Sequence, residues 1–563
     1  MDASNHALGG PDGSARDLPR GSGRDVYLAP WRKLGAGAKR RGLLFVVCLL
    51  LICGTAAFIG VVPTLIFGHD NFFLLGNGWR VYCGQRPHLD FYSPWGPLTY
   101  LIVELGFVLS NASPNAIGYG SAIVGLVLGL WAYWLGRDRL EAAPRILLGL
   151  YLALLVTAPY ALGTRPTWST HAMVYNRYGF ALVGLVLVEC LQRSEGTEEN
   201  AGERWGGIST GVAMALALFL KASYFGICVP IVGASLVYRG LNRRRMGGLA
   251  AGFGVVALML LAYLSFDVLR IGQDLWMAAG ARSKGLGLMK LVVVLISQVP
   301  FLAVVIALSL YGTAAVKEAG RWLEKQALLI WGLLVFMADV MLIFSNMQAR
   351  GMPLLGVFGI VVASRLTVER RRAGGAESRT EKQRYLFVLL LCGCLSLPQL
   401  CSDLVGLGYG AVEKAHPSAA RSLVRFSVPR LRPMILYDGP FEKRSNGGVY
   451  TGRINEGIAL LKQHCGPGDR VLNMDMVNPF PYALGWKPPR GGMAATNYNF
   501  IFTDELRPSD EAYFGDSNVV MVPKEPALEP LYSDGYYRIY LPAMLERYRL
   551  AAESESWRLY KLK

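Results

Sequence analysis

The chain has 563 residues, of which 53% are hydrophobic and only 17% charged. Soluble proteins carry about 25% charged residues, so this balance excludes an ordinary soluble domain and points to a polytopic membrane protein. The formal net charge of +17 comes without a C2H2, RRM-like or other nucleic-acid signature. No nucleic-acid partner is expected, and basic cytoplasmic loops account for the charge, because Lys and Arg are retained on that side of a membrane.

In chain order, residues 1–42 are rich in Gly, Asp, Ser and Arg and read as a disordered cytoplasmic tail ending in RKLGAGAKRR. The apolar run that follows is too long for a signal-peptide core and shows no small-residue cleavage site. It is expected to stay as an anchor, with its N-terminus cytoplasmic. A helix needs roughly 17–25 residues to cross the hydrocarbon core. Candidate spans fall at 43–67, 115–136, 146–163, 179–192, 247–266, 289–311, 327–345, 352–366 and 385–404. Segment 95–110, which contains Glu104, and segment 207–238, interrupted by Lys221, are ambiguous.

Charge bias settles the parity. The basic segments RDRLEAAPR (137–145), RGLNRRR (239–245), VKEAGRWLEK (316–325) and RLTVERRRAGGAESRTEKQR (365–384) belong inside. That requires 95–110 not to cross fully and 207–238 to cross twice, turning near Lys221. The expected fold is mainly α: a transmembrane bundle of about eleven crossings over residues 43–404, with an outer loop at 68–112. Residues 405–563 read as a soluble extracytoplasmic α/β or α+β domain. In it VLNMDM, SNVVMVP and YYRIYL look strand-like, and RINEGIALLKQ and LPAMLERYRLA look helical. Cys83 and Cys465 are the two cysteines in polar segments; they could pair in an oxidising compartment, which the sequence leaves open.

Candidate chemistry collects on the outer side. In GHDNFFLLGNGWRVYCGQRPHLDFYSPWGPLTY (68–100), Asp70 follows the first span by a few residues, and acids at a membrane edge are functional hypotheses by default. Asp90 precedes a Pro/Gly turn and reads either as a second acid or as a turn former. His88 and Tyr92 flank it as candidate acceptor-binding groups, with Tyr175 and Asn176 beside them from the next outer loop. That loop, TRPTWSTHAMVYNRY (164–178), carries Arg165, His171 and Arg177 where positive charge is normally depleted. Lys221, Arg270, Arg282, Lys284 and Arg350 return to the same face. Arg177, Lys221 and Arg350, with His171 and Arg165 behind them, suit an anionic lipid phosphate. Each is also readable as a side chain snorkelling to headgroups.

The G-x-x-P-x-x-D-F…GPL-x-Y arrangement (Gly84, Pro87, Asp90, Phe91, Gly96, Pro97, Leu98, Tyr100) after a long span and an acid resembles the first outer loop of the C-type (GT-C) polytopic glycosyltransferases. The resemblance is to protein mannosyltransferases and to the aminoarabinose transferase of lipid A; FLKASYF (219–225) and SNMQARGMP (345–353) add to it. It implies an inner (plasma) membrane enzyme that takes a sugar from a polyprenyl-phosphate carrier, among membrane lipids, and passes it to a glycan, lipid or protein acceptor. It also implies that Asp70 orients or deprotonates that acceptor. Loop 164–178 lacks Asp and Glu, and Asp70 is followed by Asn71. The first departs from the metal-binding oligosaccharyltransferases and implies a mechanism without metal or cofactor; the second departs from the paired acids of the first loop. Two other readings stay open: a transporter or flippase of lipid-linked sugars, against which no matching halves are visible, and a non-catalytic carrier-binding assembly protein. The aromatic, Pro-rich NPFPYALGWKPPRGG (478–492) could bind glycan or pack against the membrane part.

Overall fold

The computed structural model describes residues 36–191, 199–285, 287–315, 322–346, 348, 350–373, 378–418, 423–439, 444–527 and 529–563. The chain runs through α1 (Ala36–Ile59), α2 (Gly68–Tyr82), α3 (Leu98–Ser110), α4 (Ala116–Leu135), α5 (Ala142–Thr157), α6 (Val174–Leu191), α7 (Glu199–Leu220), α8 (Ala222–Arg239), α9 (Arg243–Tyr263), α10 (Val268–Gly285), α11 (Leu288–Ser297), α12 (Val299–Ala315), α13 (Trp322–Asn346), α14 (Pro353–Ala373) and α15 (Arg379–Ala415). Among the described residues α1, α4, α6, α9, α13 and α15 are each long and apolar enough to cross a membrane, and α11 with α12 make a seventh candidate across a 56° bend. Eleven crossings would also need α5, α7, α8 and α14, which are shorter or carry charged ends. The 13 residues of α3 extend about 20 Å, less than a core of about 30 Å.

Small residues fix the course around Lys221. A Cβ on Gly207 would stand 2.1 Å from the Arg245 carbonyl oxygen, and one on Gly211 would stand 2.1 Å from that of Leu249. On the other helix, Gly252 would meet the Ile208 oxygen at 2.3 Å. These two G-x-x-x-G faces let the backbones of α7 and α9 touch. Their partners rise together in number, so α7 and α9 run parallel, and α8 between them has to run back. The reversal falls on Lys221, a single extended residue (φ −165°, ψ 122°).

Beyond α15 come β1 (Leu423–Arg425), β2 (Ile435–Tyr437), α16 (Gly447–His464), β3 (Val471–Asn473), α17 (Phe480–Leu484), α18 (Asp510–Phe514), β4 (Val519–Pro523), α19 (Pro530–Arg547), β5 (Tyr548–Glu553) and β6 (Trp557–Leu562). The main sheet has the order β3-β4-β6-β5, with β3 and β4 parallel and the other pairs antiparallel. The 37 residues of α15 run about 55 Å, past residue 404 where the outer domain was expected to begin. YYRIYL, expected as a strand, lies inside α19. Tyr536, Tyr540 and Met544 recur every four residues and are buried. The two tyrosines pack on Tyr513 and Phe502, so tertiary burial overrides the β-propensity of the segment. The stretch LPAMLERYRLA is divided, its last residues belonging to β5.

The C-terminal domain grips the loop that follows α1. The Thr64 amide donates to the Ile435 carbonyl (2.8 Å) and its own carbonyl accepts from Tyr437 (2.8 Å), adding one residue to the edge of β2. The next amide, of Leu65, donates to Ser169 in the second loop (2.8 Å). The loop leading to α2 is thus held between both.

Candidate active site

Asp70 stands in the first turn of α2, and both ends of that helix are anchored. At its start the His69 amide donates to Ser445 (3.0 Å) and Asn71 Nδ2 to Thr64 Oγ1 (2.9 Å). Further along, Asn77 Nδ2 donates to the Ala494 carbonyl (2.8 Å), Trp79 Nε1 to Trp486 (2.8 Å) and Arg80 Nη2 to Pro489 (2.9 Å). The 478–492 segment therefore packs, offering its carbonyls to α2. Burial among these groups pushes the Asp70 carboxyl from 3.8 up to about 7, because a charged oxygen loses its water there. His69 Nε2 lies 3.4 Å from Asp70 Oδ1.

A helical turn beyond Asp70, Phe73 carries the same face of α2 onto the Tyr175 ring (6.0 Å between centroids), and Trp95 closes the box at 5.8 Å from Tyr175. Tyr175 lies within electrostatic reach of Asp70 and of Arg282. Lys221 sits over the same ring, with Nζ 5.3 Å from its centroid. Its ammonium donates to Asn346 Oδ1 and approaches Asn176 Oδ1 at 3.5 Å. Asn346 in turn donates to the Tyr224 hydroxyl (3.2 Å). Lys221 thus turns inward instead of snorkelling. The GPL motif explains its placement: the Gly96 amide and Thr99 Oγ1 both donate to the Leu220 carbonyl, each at 3.1 Å. A Cβ on Gly96 would lie 1.9 Å from the Phe219 oxygen, so only glycine lets the loop seat on the end of α7.

Arg282, on α10, completes the group. It lies under the Phe500 ring at 6.0 Å. Its Nε and Nη2 are buried with no hydrogen-bond partner among the described residues. Burial lowers its pKa by stripping water from the guanidinium, and the neighbouring Tyr175 works in the opposite direction. One carboxylic acid and two cations, brought by three separate stretches of chain, thus stand within electrostatic reach of Tyr175.

Other expected residues fall elsewhere. Arg177 is buried and fully committed: Nη1 donates to Asp403 Oδ1 and to the Leu155 carbonyl (both 2.8 Å), and Nε and Nη2 donate to the Tyr160 carbonyl (3.0 and 2.7 Å). It ties α6 to α15, and each of its nitrogens already has a partner inside the protein. His171 is buried with Nε2 accepting from the Val62 amide (3.0 Å). Desolvation drives its pKa down to about 3, so the ring is neutral and supplies no charge. Arg165 is exposed and stacks at 5.3 Å over Trp168. Arg350 is exposed too, its backbone against Gly163.

Asp90 closes a turn by accepting from the Arg86 amide (2.7 Å) and sits 3.5 Å from Arg490 Nε. His88 Nδ1 pairs with Asp274 Oδ2 (2.9 Å), which also accepts from the Ser93 amide (3.1 Å). Tyr92 donates its hydroxyl to the Ile501 carbonyl (2.6 Å). All three hold the outer loop together. Cys83 and Cys465 are free thiols. Asp274 carried no local signal in the sequence, while Asn346 lay in view in SNMQARGMP.

In chain course the protein is similar to two solved structures. One is the ArnT from Cupriavidus metallidurans bound to undecaprenyl phosphate, at 12% identity over 92% of this chain and 97% of that one, with a TM-score of 0.47. The other is the Archaeoglobus fulgidus oligosaccharyltransferase in complex with zinc and sulfate, at 13% identity over 91% and 73%, with a TM-score of 0.38. No family model and no curated protein matches the chain. The chemistry has to be argued from the side chains around Tyr175.

Proposed function

We propose that the protein is a multi-pass membrane glycosyltransferase that moves a sugar from a polyprenyl-phosphate carrier to a hydroxyl or amine of a glycan, lipid or protein acceptor, with inversion at the anomeric carbon. The observation that carries this reading is the convergence of a buried acid, Asp70, and two cations, Lys221 and Arg282, on the single ring of Tyr175. In its ionised form Asp70 accepts the acceptor's proton. The acceptor atom bonds to the anomeric carbon from the face opposite the phosphate, through a transition state of oxocarbenium character. The carbon–oxygen bond to the phosphate breaks, and the phosphate leaves as an anion that needs no proton, only cations already in place. Lys221 and Arg282 supply them. Asn176, whose Nδ2 is buried without a partner among the described residues, stands beside Lys221 as a further donor.

The same reading places the site and the outer domain on the extracytoplasmic side of a plasma membrane. The opposite end of the bundle carries Arg139, Arg245, Glu189 and Glu203 in one ion network, in keeping with cytoplasmic retention of positive charge. The test is made in membranes from cells expressing the chain. Asp70→Asn should leave a lipid-linked sugar unconsumed that the unaltered chain consumes. Turnover undiminished in that variant would remove Asp70 from the mechanism. Movement of the lipid-linked sugar across proteoliposomes with its glycosidic bond intact would favour a flippase instead.

A further inference from the structure

The helix α10 has two unlike faces. Its inner face is spoken for: Asp274 holds His88 and Ser93, and Arg282 lies under Phe500. Arg270 Nη1 also donates to the Leu89 carbonyl (3.2 Å), and Arg86 from the outer loop donates to Ser265 Oγ just before the helix (2.6 Å). Among the described residues the side chains of the other face have no such partners, and only Gly280 at its edge packs, against Leu506. At about 100° per residue, Val268, Gly272, Trp276 and Ala279 fall on one stripe with Leu269. All five are exposed, Leu269 to 81% and Trp276 to 73%. Gln273 and Arg270 flank it on one side.

The stripe continues past both ends of the helix. Phe266 before it and Leu288 and Met289 after it are exposed as well. Those residues join α10 directly to two membrane-crossing elements: α9, which ends at Tyr263, and the bent pair that begins at Leu288. A helix tethered so closely at both ends to spans cannot lie far from the bilayer surface. Exposed Trp and Leu beside a polar flank are the composition of a helix lying in the interface plane, with the indole at headgroup level.

We propose that α10 lies in the membrane–water interface, with Leu269 and Trp276 seated at the headgroup–acyl boundary of the bilayer. The seating goes beyond the transferase reading and does not depend on it. Where the transferase reading holds as well, the same helix carries Arg282 on its inner face, so a carrier headgroup travelling in that leaflet reaches a cation without leaving the interface.

The test uses the full chain reconstituted in phosphatidylcholine bilayers whose acyl chains are brominated at shallow or deep positions. The difference in tryptophan emission between the unaltered chain and Trp276→Phe isolates the signal of Trp276. Trp486→Phe, at a buried outer-domain site, serves as the reference. The expected result is a loss of the Trp276 component with shallow bromines that exceeds the loss with deep ones, and no loss of the Trp486 component. A Trp276 component untouched by either lipid would overturn the proposal, placing the stripe in water or under another protein. Stronger quenching by deep bromines would overturn it too, since the helix would then be submerged. Because this readout involves no turnover, it stands apart from any failure of the transferase assay.

Discussion

Two arginines with buried guanidinium nitrogens have opposite surroundings. At the junction of α6 and α15, Arg177 meets Asp403 at 2.8 Å and gives its remaining nitrogens to backbone carbonyls. On α10, Arg282 keeps two buried nitrogens without a partner among the described residues, within reach of Lys221, a second cation, and with no carboxylate paired to it. A buried charge with its counter-charge is structure. One left without it is costly to hold, a cost that an anionic ligand of the kind proposed above would offset. The partner, more than the depth, separates the two roles.

The largest expected effect tests the acid of the second region. Asp70→Asn should lower turnover by about 10²–10⁴-fold, the usual worth of a positioned general base, measured on lipid-linked sugar in membranes. The same substitution should stabilise the fold. The unfolded carboxyl loses its proton near pH 3.8 and the folded one only at about 7. Below both values there is no charge to desolvate; as pH rises through this window the penalty builds, and above it the full cost remains. Asn escapes a cost on the order of 4 kcal/mol, so thermal denaturation at pH 8 should show a higher Tm for Asp70→Asn, with the advantage gone at pH 3. Activity of the unaltered chain should climb with pH and level off above about 7, since the base works ionised.

Next in size is the paired arginine. Arg177→Met should cost about 3–5 kcal/mol by stranding Asp403, read as loss of folded protein in detergent, and Asp403→Leu added to it should recover much of that loss. Arg282→Met should behave in the opposite way: stability unchanged or improved, and binding of a polyprenyl phosphate weakened by about 1.5–3 kcal/mol, the worth of hydrogen bonds to a charged group. Equal stability losses at the two sites would break the contrast. The smallest effect is at Arg165, where Arg165→Ala should change stability by less than about 0.5 kcal/mol and leave carrier binding as it was.

Much of the molecule was legible in the chain itself. Hydropathy pointed to a helical membrane bundle with a C-terminal domain of mixed helix and strand, and the reversal at Lys221 follows the break in the 207–238 run. YYRIYL shows where the local pattern misled: its β-propensity gave way to a helix because burying Tyr536 and Tyr540 on Tyr513 and Phe502 outweighed it. Among the cations, sequence position could not separate Arg177 from Lys221, since both stand at the edges of outer loops.

By itself, then, the sequence determined what depends on composition and short spacing: membrane residence, the acid placed just beyond the first span, and the glycine that lets the GPL turn seat on α7. Only the tertiary structure decided which charges keep a partner. Asp403 lies 226 residues from Arg177 along the chain, and Lys221 reaches Asn346 across 125. Counter-charge and desolvation are set by such distant neighbours, and no local pattern encodes them.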